Sequence, residues 1–241
     1  MILCKVVDNY GDIGFVYRLS RNILELLPSA KLNIIVSNLT SFASMAPFVK
    51  PDLPKQTAGG FTIYDWNDES ICFDEFSKNT PELILECFQC GRPEWLDQIL
   101  FDPEQKKTVR IINIEYLSAE TWADDFHLLK SGTRSTLVKK VNFMPGFTKK
   151  TGSLVLDKAF MLSKQSKAFA IKTLAENLSP KAEEDSVIKA LEDNHTFCLT
   201  IFSYPRTFNH LVGALKAFAE EKRKSDALFK VHAFVAPGLC A

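Results

Sequence analysis

Two aspartates four residues apart, Asp8 and Asp12, fall in the segment Asp8-Asn9-Tyr10-Gly11-Asp12-Ile13-Gly14 near the start of the chain. Carboxylates at this spacing can hold a cation or accept a proton, and they repel a phosphate. The flanking residues say what positions them. Residues 2–7 form an apolar run that reads as a first β-strand, and residues 15–27 carry apolar positions at intervals of three and four, as on one helix face. The segment is therefore a strand-to-helix turn, with glycines that allow a tight bend or a close approach to a ligand. A dinucleotide site in this place would read G-x-G-x-x-G and offer bare backbone amides to a pyrophosphate. Taken alone, Asp12 also suits a helix N-cap, and Asp8 an Asx turn. The heptapeptide leaves these readings open beside the chemical one.

Strand and helix signals alternate through the rest of the chain. Residues 32–37, 61–66, 83–88, 109–117 and 137–144 read as further strands, with a Pro-initiated helix over 94–101. The stretch holding Pro47, Pro51 and Pro54 and ending in Gly59-Gly60 reads as a loop with a short helix. This order predicts a parallel α/β sheet. A helix over 162–178 and a charged linker over 181–195 precede a second β-α-β pattern, with strands at 196–203 and 229–235 around a helix at 207–224. The expected domains are 1–180, Rossmann-like, and 196–241, the opening of a second Rossmann-like domain. Roughly 45 residues is below the size at which a core usually sustains itself, so the second domain is expected to be incomplete.

Composition excludes several classes. Lys plus Arg equals Asp plus Glu at 29 each, which leaves no global field to recruit nucleic acid or an anionic membrane. No apolar stretch reaches the ~18 residues of a membrane span, and the N-terminus lacks a signal-peptide pattern. A cytoplasmic protein is expected. Cys87-Phe88-Gln89-Cys90 has CxxC spacing, but the four histidines offer no second ligand pair, so buried or loop thiols are expected and no metal.

Several collinear segments resemble one family. Cys4-Lys5-Val6-Val7 with the aspartate turn is similar to the N-terminal signature of the elongation factor P arginine rhamnosyltransferases (EarP). Glu86-Cys87-Phe88-Gln89-Cys90 with Pro93-Glu94 resembles that family's "EAFxC-x-x-PE" segment. Asn113-Ile114-Glu115-Tyr116-Leu117-Ser118-Ala119-Glu120-Thr121-Trp122, with His127 and Ser131, resembles "LEYLSAExW…H…S". Phe143-Met144-Pro145-Gly146-Phe147-Thr148 with Thr151-Gly152 resembles "FFPGFTxxTGG", and Ile201-Phe202-Ser203-Tyr204 resembles "LFxY".

The resemblance implies a two-domain GT-B-like glycosyltransferase. Its reaction moves rhamnose from dTDP-β-L-rhamnose to an arginine of elongation factor P with inversion, without a metal or other cofactor. Carried onto this sequence, it implies Asp12 as general base and Asp8 as its partner in orienting the guanidinium. It places Asn9, Tyr10 and Gly11 on the sugar side of the turn, and Tyr204 on the donor nucleotide. Glu115, Tyr116, Ser118 and Glu120 follow the fifth strand, where structural roles such as capping are expected and shaping of the acceptor side is the alternative; His127 is expected to be a packed side chain. The family's "RGEDS"-type turn and its glutamine- and tryptophan-rich stretch are absent, so a truncated second domain is expected, short by roughly a hundred residues or more. The alternative is a non-catalytic fragment that only binds elongation factor P.

Overall fold

The computed structural model describes residues 1–8, 10–176, 184–201, 203 and 206–235. They divide into two compact units between Asp157 and Lys158.

The first unit is built on a sheet whose inner strands read almost continuously apolar, as strands covered on both faces must. In chain order they are β1 (Ile2–Cys4), β2 (Asn33–Val36), β4 (Phe61–Asp65), β5 (Leu83–Cys87), β6 (Val109–Ile114) and β8 (Val138–Phe143). All six are parallel. The edge strands β3 (Lys55–Ala58) and β7 (Lys130–Ser131) pair antiparallel with β4 and β8. The spatial order is β3-β4-β2-β1-β5-β6-β8-β7. Counting parallel strands alone, this is the 3-2-1-4-5-6 order of the doubly wound Rossmann fold.

Alternation along each strand divides the core in two. Ile2, Cys4, Ile34, Val36 and Ile63 face one layer, into which α1 (Gly11–Leu26) inserts Ile13 and Val16 and α2 (Leu39–Met45) inserts Phe42. Leu3, Ile35, Tyr64, Ile84 and Ile111 face the other, covered by Cys72 and Phe76 of α3 (Glu69–Phe76) and by Trp95 and Leu96 of α4 (Glu94–Leu100). Asn38 and Asp68 cap α2 and α3 by accepting from Ser41 N and Ile71 N.

The proline-rich stretch differs from its expected loop. Past α2 it forms β3, which turns into β4 through Gly59 and Gly60 at φ +62° and +89°. A two-residue hairpin turn of this kind needs two left-handed residues, and glycine adopts them without strain.

In the second unit, residues expected as one helix form two, α6 (Lys158–Gln165) and α7 (Lys167–Glu176). Ser166 lies between them, and its hydroxyl accepts from Phe169 N, which starts α7 afresh. Then follow α8 (Glu184–Glu192), β9 (Thr196–Ile201), α9 (Asn209–Arg223) and β10 (Lys230–Val235). Strands β9 and β10 pair in parallel, as the β-α-β pattern predicts. Among the described residues of this unit only Val187 and Ala219 are buried hydrophobics. No helix of the described residues is long and apolar enough to cross a membrane. The remaining short helix, α5 (Ala123–Phe126), follows β6 and ends at His127.

Candidate functional site at the sheet switch point

In a doubly wound sheet ligands collect beyond the carboxyl ends of the strands, where the strand order reverses. Here that point lies between β1 and β5. Three segments leave the sheet around it: the aspartate turn after β1, residues 88–91 after β5, and Glu115-Tyr116 after β6.

Strand β1 ends three residues earlier than its apolar run predicts. Val6 N donates to Ser37 Oγ at 2.8 Å, and Val7 N and Asp8 N both donate to Asp12 Oδ2, at 2.8 and 3.0 Å. Asp12 is thus no N-cap. It lies in the first turn of α1, whose cap position is Tyr10 with no side-chain cap bond, and its carboxylate reaches back to the strand end. The helix dipole favours a negative charge there. The residue is only 1% exposed, and Oδ1 accepts from the Tyr116 hydroxyl at 3.0 Å.

Asp8 is exposed, and its carboxylate lies over Gly11: a Cβ at Gly11 would stand 2.8 Å from Asp8 Oδ2. Gly11 N closes the turn on Asp8 O at 2.7 Å. The turn therefore brings Asp8, Gly11 and Asp12 together. Tyr10 is exposed beside them. Asn9 and Tyr204 lie outside the described residues.

Tyr116 is the participant whose contact sequence reasoning missed. Its ring stacks on Phe88, centroids 4.2 Å apart and 11° from parallel, and Phe88 meets Phe15 edge-on at 5.0 Å. Phe88 and Gln89 hold this place with left-handed backbones, φ +60° and +51°, a conformation that costs a non-glycine residue on the order of 1 kcal/mol. The Tyr116 phenol is pushed up to about 12 by desolvation first, then by its bond to Asp12 and the charges of Asp12 and Asp8. Nothing in the sequence signals this contact, which joins residues 104 positions apart.

A cleft of about 500 Å³ is lined by Glu86, Gln89, Asn113, Glu115, Trp122 and Phe126, among others. Glu115 Oε1 accepts from Gln89 Nε2 at 2.8 Å and Asn113 Nδ2 at 2.6 Å. Buried Glu86 is neutralised by Arg92 and Lys140. A larger cleft, about 940 Å³, lies at the amino ends of the strands around Met1, Asn33, Thr62 and Leu83, remote from these groups.

The other singled-out residues serve the scaffold. Ser118 Oγ accepts from Glu120 N in a local turn. His127 Nδ1 accepts from Met144 N, and its ring packs against Phe143. Phe143 in turn fills the space over Gly152, where a Cβ would stand 2.3 Å from its ring. Cys87 is buried at the end of β5, and Cys90 follows in the loop. Burial pushes both thiols up, Cys90 to about 11. Among the described residues, no three His, Cys, Asp or Glu side chains are grouped to hold a metal ion.

Residues 1–235 match the family described as "Elongation-Factor P (EF-P) rhamnosyltransferase EarP". The chain belongs to the EarP family. Among its relatives, a "Protein-arginine rhamnosyltransferase" of Shewanella oneidensis is 31% identical over 98% of this chain and 56% of that protein. Proteins of the same description from Pseudomonas putida and Neisseria meningitidis are 32% and 28% identical, over 64% and 66% of this chain and 38% and 39% of theirs. This EarP-family chain thus spans little more than half the length of the Shewanella relative.

Proposed function

We propose that this chain carries the acceptor side of a protein-arginine rhamnosyltransferase, with elongation factor P as acceptor and dTDP-β-L-rhamnose as donor. The observation that carries the reading is the pair Asp8 and Asp12 at the switch point of a Rossmann-ordered sheet. The descriptions of the family and of the relatives support it. A guanidinium is almost always protonated and so a poor nucleophile. Carboxylates hold its planar fork by charge-assisted hydrogen bonds, and Asp12 would accept one N–H proton as that nitrogen attacks C1 of the sugar. The N–C1 bond forms as the C1–O bond breaks on the opposite face, and dTDP leaves with the electron pair. Inversion follows from this single displacement without an enzyme nucleophile. The parallel β-α-β of the second unit is in keeping with a GT-B arrangement, in which Tyr204 would contact the donor, with Asn9, Tyr10 and Gly11 towards the sugar.

The test is calorimetric titration of elongation factor P into this chain, then incubation with dTDP-β-L-rhamnose and mass analysis of the acceptor. Binding should weaken at least tenfold in Asp8→Asn and in Asp12→Asn, the loss of about one charge-assisted hydrogen bond. Absence of binding, or binding indifferent to both substitutions, overturns the proposal. Binding that depends on both aspartates, with no mass gain, supports the alternative, a non-catalytic elongation factor P binder.

A further inference from the structure

The lone pairs of Asp12 are unequally available. A carboxylate offers about four acceptor positions, two on each oxygen. Val7 N and Asp8 N fill those of Oδ2. On Oδ1 one position is taken by the Tyr116 hydroxyl, at 3.0 Å. Asp12 itself is 1% exposed while Tyr116 is 56% exposed, so the phenol is the solvent-facing partner of Oδ1. An N–H approaching Oδ1 meets the phenol first.

The protein maintains that phenol at a cost. Two consecutive non-glycine residues, Phe88 and Gln89, adopt left-handed backbones, and the ring so placed is the one that stacks on Tyr116. Such conformations persist only where the surroundings over-determine them. Here Phe15 braces Phe88 from α1, and Phe88 N donates to Ile114 O at 2.7 Å, the last residue of β6. The brace thus joins the helix that carries Asp12, the loop after β5, and the strand that delivers Tyr116.

We propose that Tyr116 is a positioning residue for Asp12: it holds Oδ1 in the free protein, and an arginine guanidinium binds by displacing the phenolic hydroxyl from that oxygen. The proposal rests on the acceptor reading above. A hydroxyl donates one hydrogen to Oδ1, whereas the guanidinium fork donates several in a plane, so the incoming group can replace the phenol and keep the carboxylate paired. While no acceptor is present, the phenol keeps the buried charge from being left with an unpaired oxygen.

Tyr116→Phe and Asp12→Asn decide the matter in this chain. Tyrosinate absorbance followed against pH in the wild type, Tyr116→Phe and Asp12→Asn isolates the Tyr116 phenol. In Asp12→Asn it should titrate below its wild-type position of about 12, since the bond to the carboxylate and its charge are lost while desolvation stays. With the competing hydroxyl gone, Tyr116→Phe should bind elongation factor P more tightly, roughly three- to tenfold for a half-exposed charge-assisted bond. A merely structural Tyr116 predicts equal or weaker binding. An unmoved phenol titration in Asp12→Asn, or acceptor affinity in Tyr116→Phe that is unchanged or lower, overturns the inference. A wild-type chain that binds no elongation factor P overturns the acceptor reading instead, and the phenol titration, which needs no acceptor, still decides whether Tyr116 is bound to Asp12.

Discussion

Replacing Asp12 by alanine and by asparagine should separate the two tasks of that side chain. Its carboxylate takes three hydrogen bonds, from Val7 N, Asp8 N and Tyr116 Oη, while the residue is 1% exposed. Bonds to a charged acceptor contribute about 1.5–3 kcal/mol each where no water can replace the lost partner. Val7 and Tyr116 are 79% and 56% exposed, so water recovers much of that at their ends. Asp12→Ala should therefore cost about 3 kcal/mol in total, below the roughly 4.5–9 kcal/mol that three such bonds would contribute with no water at their ends. Asparagine keeps an oxygen for the two amides and should cost about 1 kcal/mol. The assay is urea unfolding followed by tryptophan fluorescence. Trp66, Trp95 and Trp122 all lie in the first unit, and buried Trp95 reports its core. At a slope of about 2 kcal/mol per molar urea, alanine should lower the midpoint by about 1.5 M and asparagine by about 0.5 M. A midpoint in Asp12→Ala within about 0.3 M of wild type would refute the reasoning, because the carboxylate would then not be tying strand to helix. Equal loss in both variants would refute it too.

Other substitutions test neighbouring points. Gly11→Ala pushes only the end of the Asp8 side chain aside, so stability should change by less than about 1 kcal/mol while elongation factor P affinity falls, read by urea melts and calorimetry. Gly59→Ala places a Cβ 2.7 Å from the Phe48 ring at a left-handed φ of +62° and should destabilise the β3–β4 hairpin by about 1–3 kcal/mol in the same melts. The His195–Asp226 pair, at 2.7 Å, raises the histidine and lowers the aspartate through their shared hydrogen bond. Its contribution is lost as pH rises through the raised histidine value, and again as pH falls through the lowered aspartate value. Imidazole resonances of His195 should therefore titrate above about 6.5 in the wild type and return towards it in Asp226→Asn. Cys87, pushed up by burial, should resist alkylation at neutral pH in the folded chain and react in urea, as mass spectrometry of labelled peptides can read.

Most of the sheet was legible because buried parallel strands are short apolar runs, and six such runs became six parallel strands. The edge strands were not. Lys55–Ala58 is polar and sits among prolines, so its one signal was the Gly59-Gly60 pair that closes a two-residue hairpin. Lys130–Ser131 is too short to show alternation. Helix α3 was missed although Asp68 supplies a cap signal, because its apolar stripe is weak. At the site, Asp8, Gly11 and Asp12 were legible as one turn because they are neighbours in sequence. The bond from Tyr116 to Asp12 depends on β6 lying two strands from β1, and the left-handed Phe88 depends on tertiary packing. Neither is written in local residue types.

The two reversed edge strands also bear on solubility. A parallel sheet that ended on β4 and β8 would expose rows of unpaired amides and carbonyls long enough to template another chain. Instead one margin ends in the four residues of β3, three of them polar, preceded by Pro54 and carrying Lys55 in an ion pair with Glu75 at 2.7 Å. The other ends in the two residues of β7. Both margins are too short or too charged to recruit a further strand, so the row of strand ends that holds Asp12 is protected against edge-to-edge polymerisation.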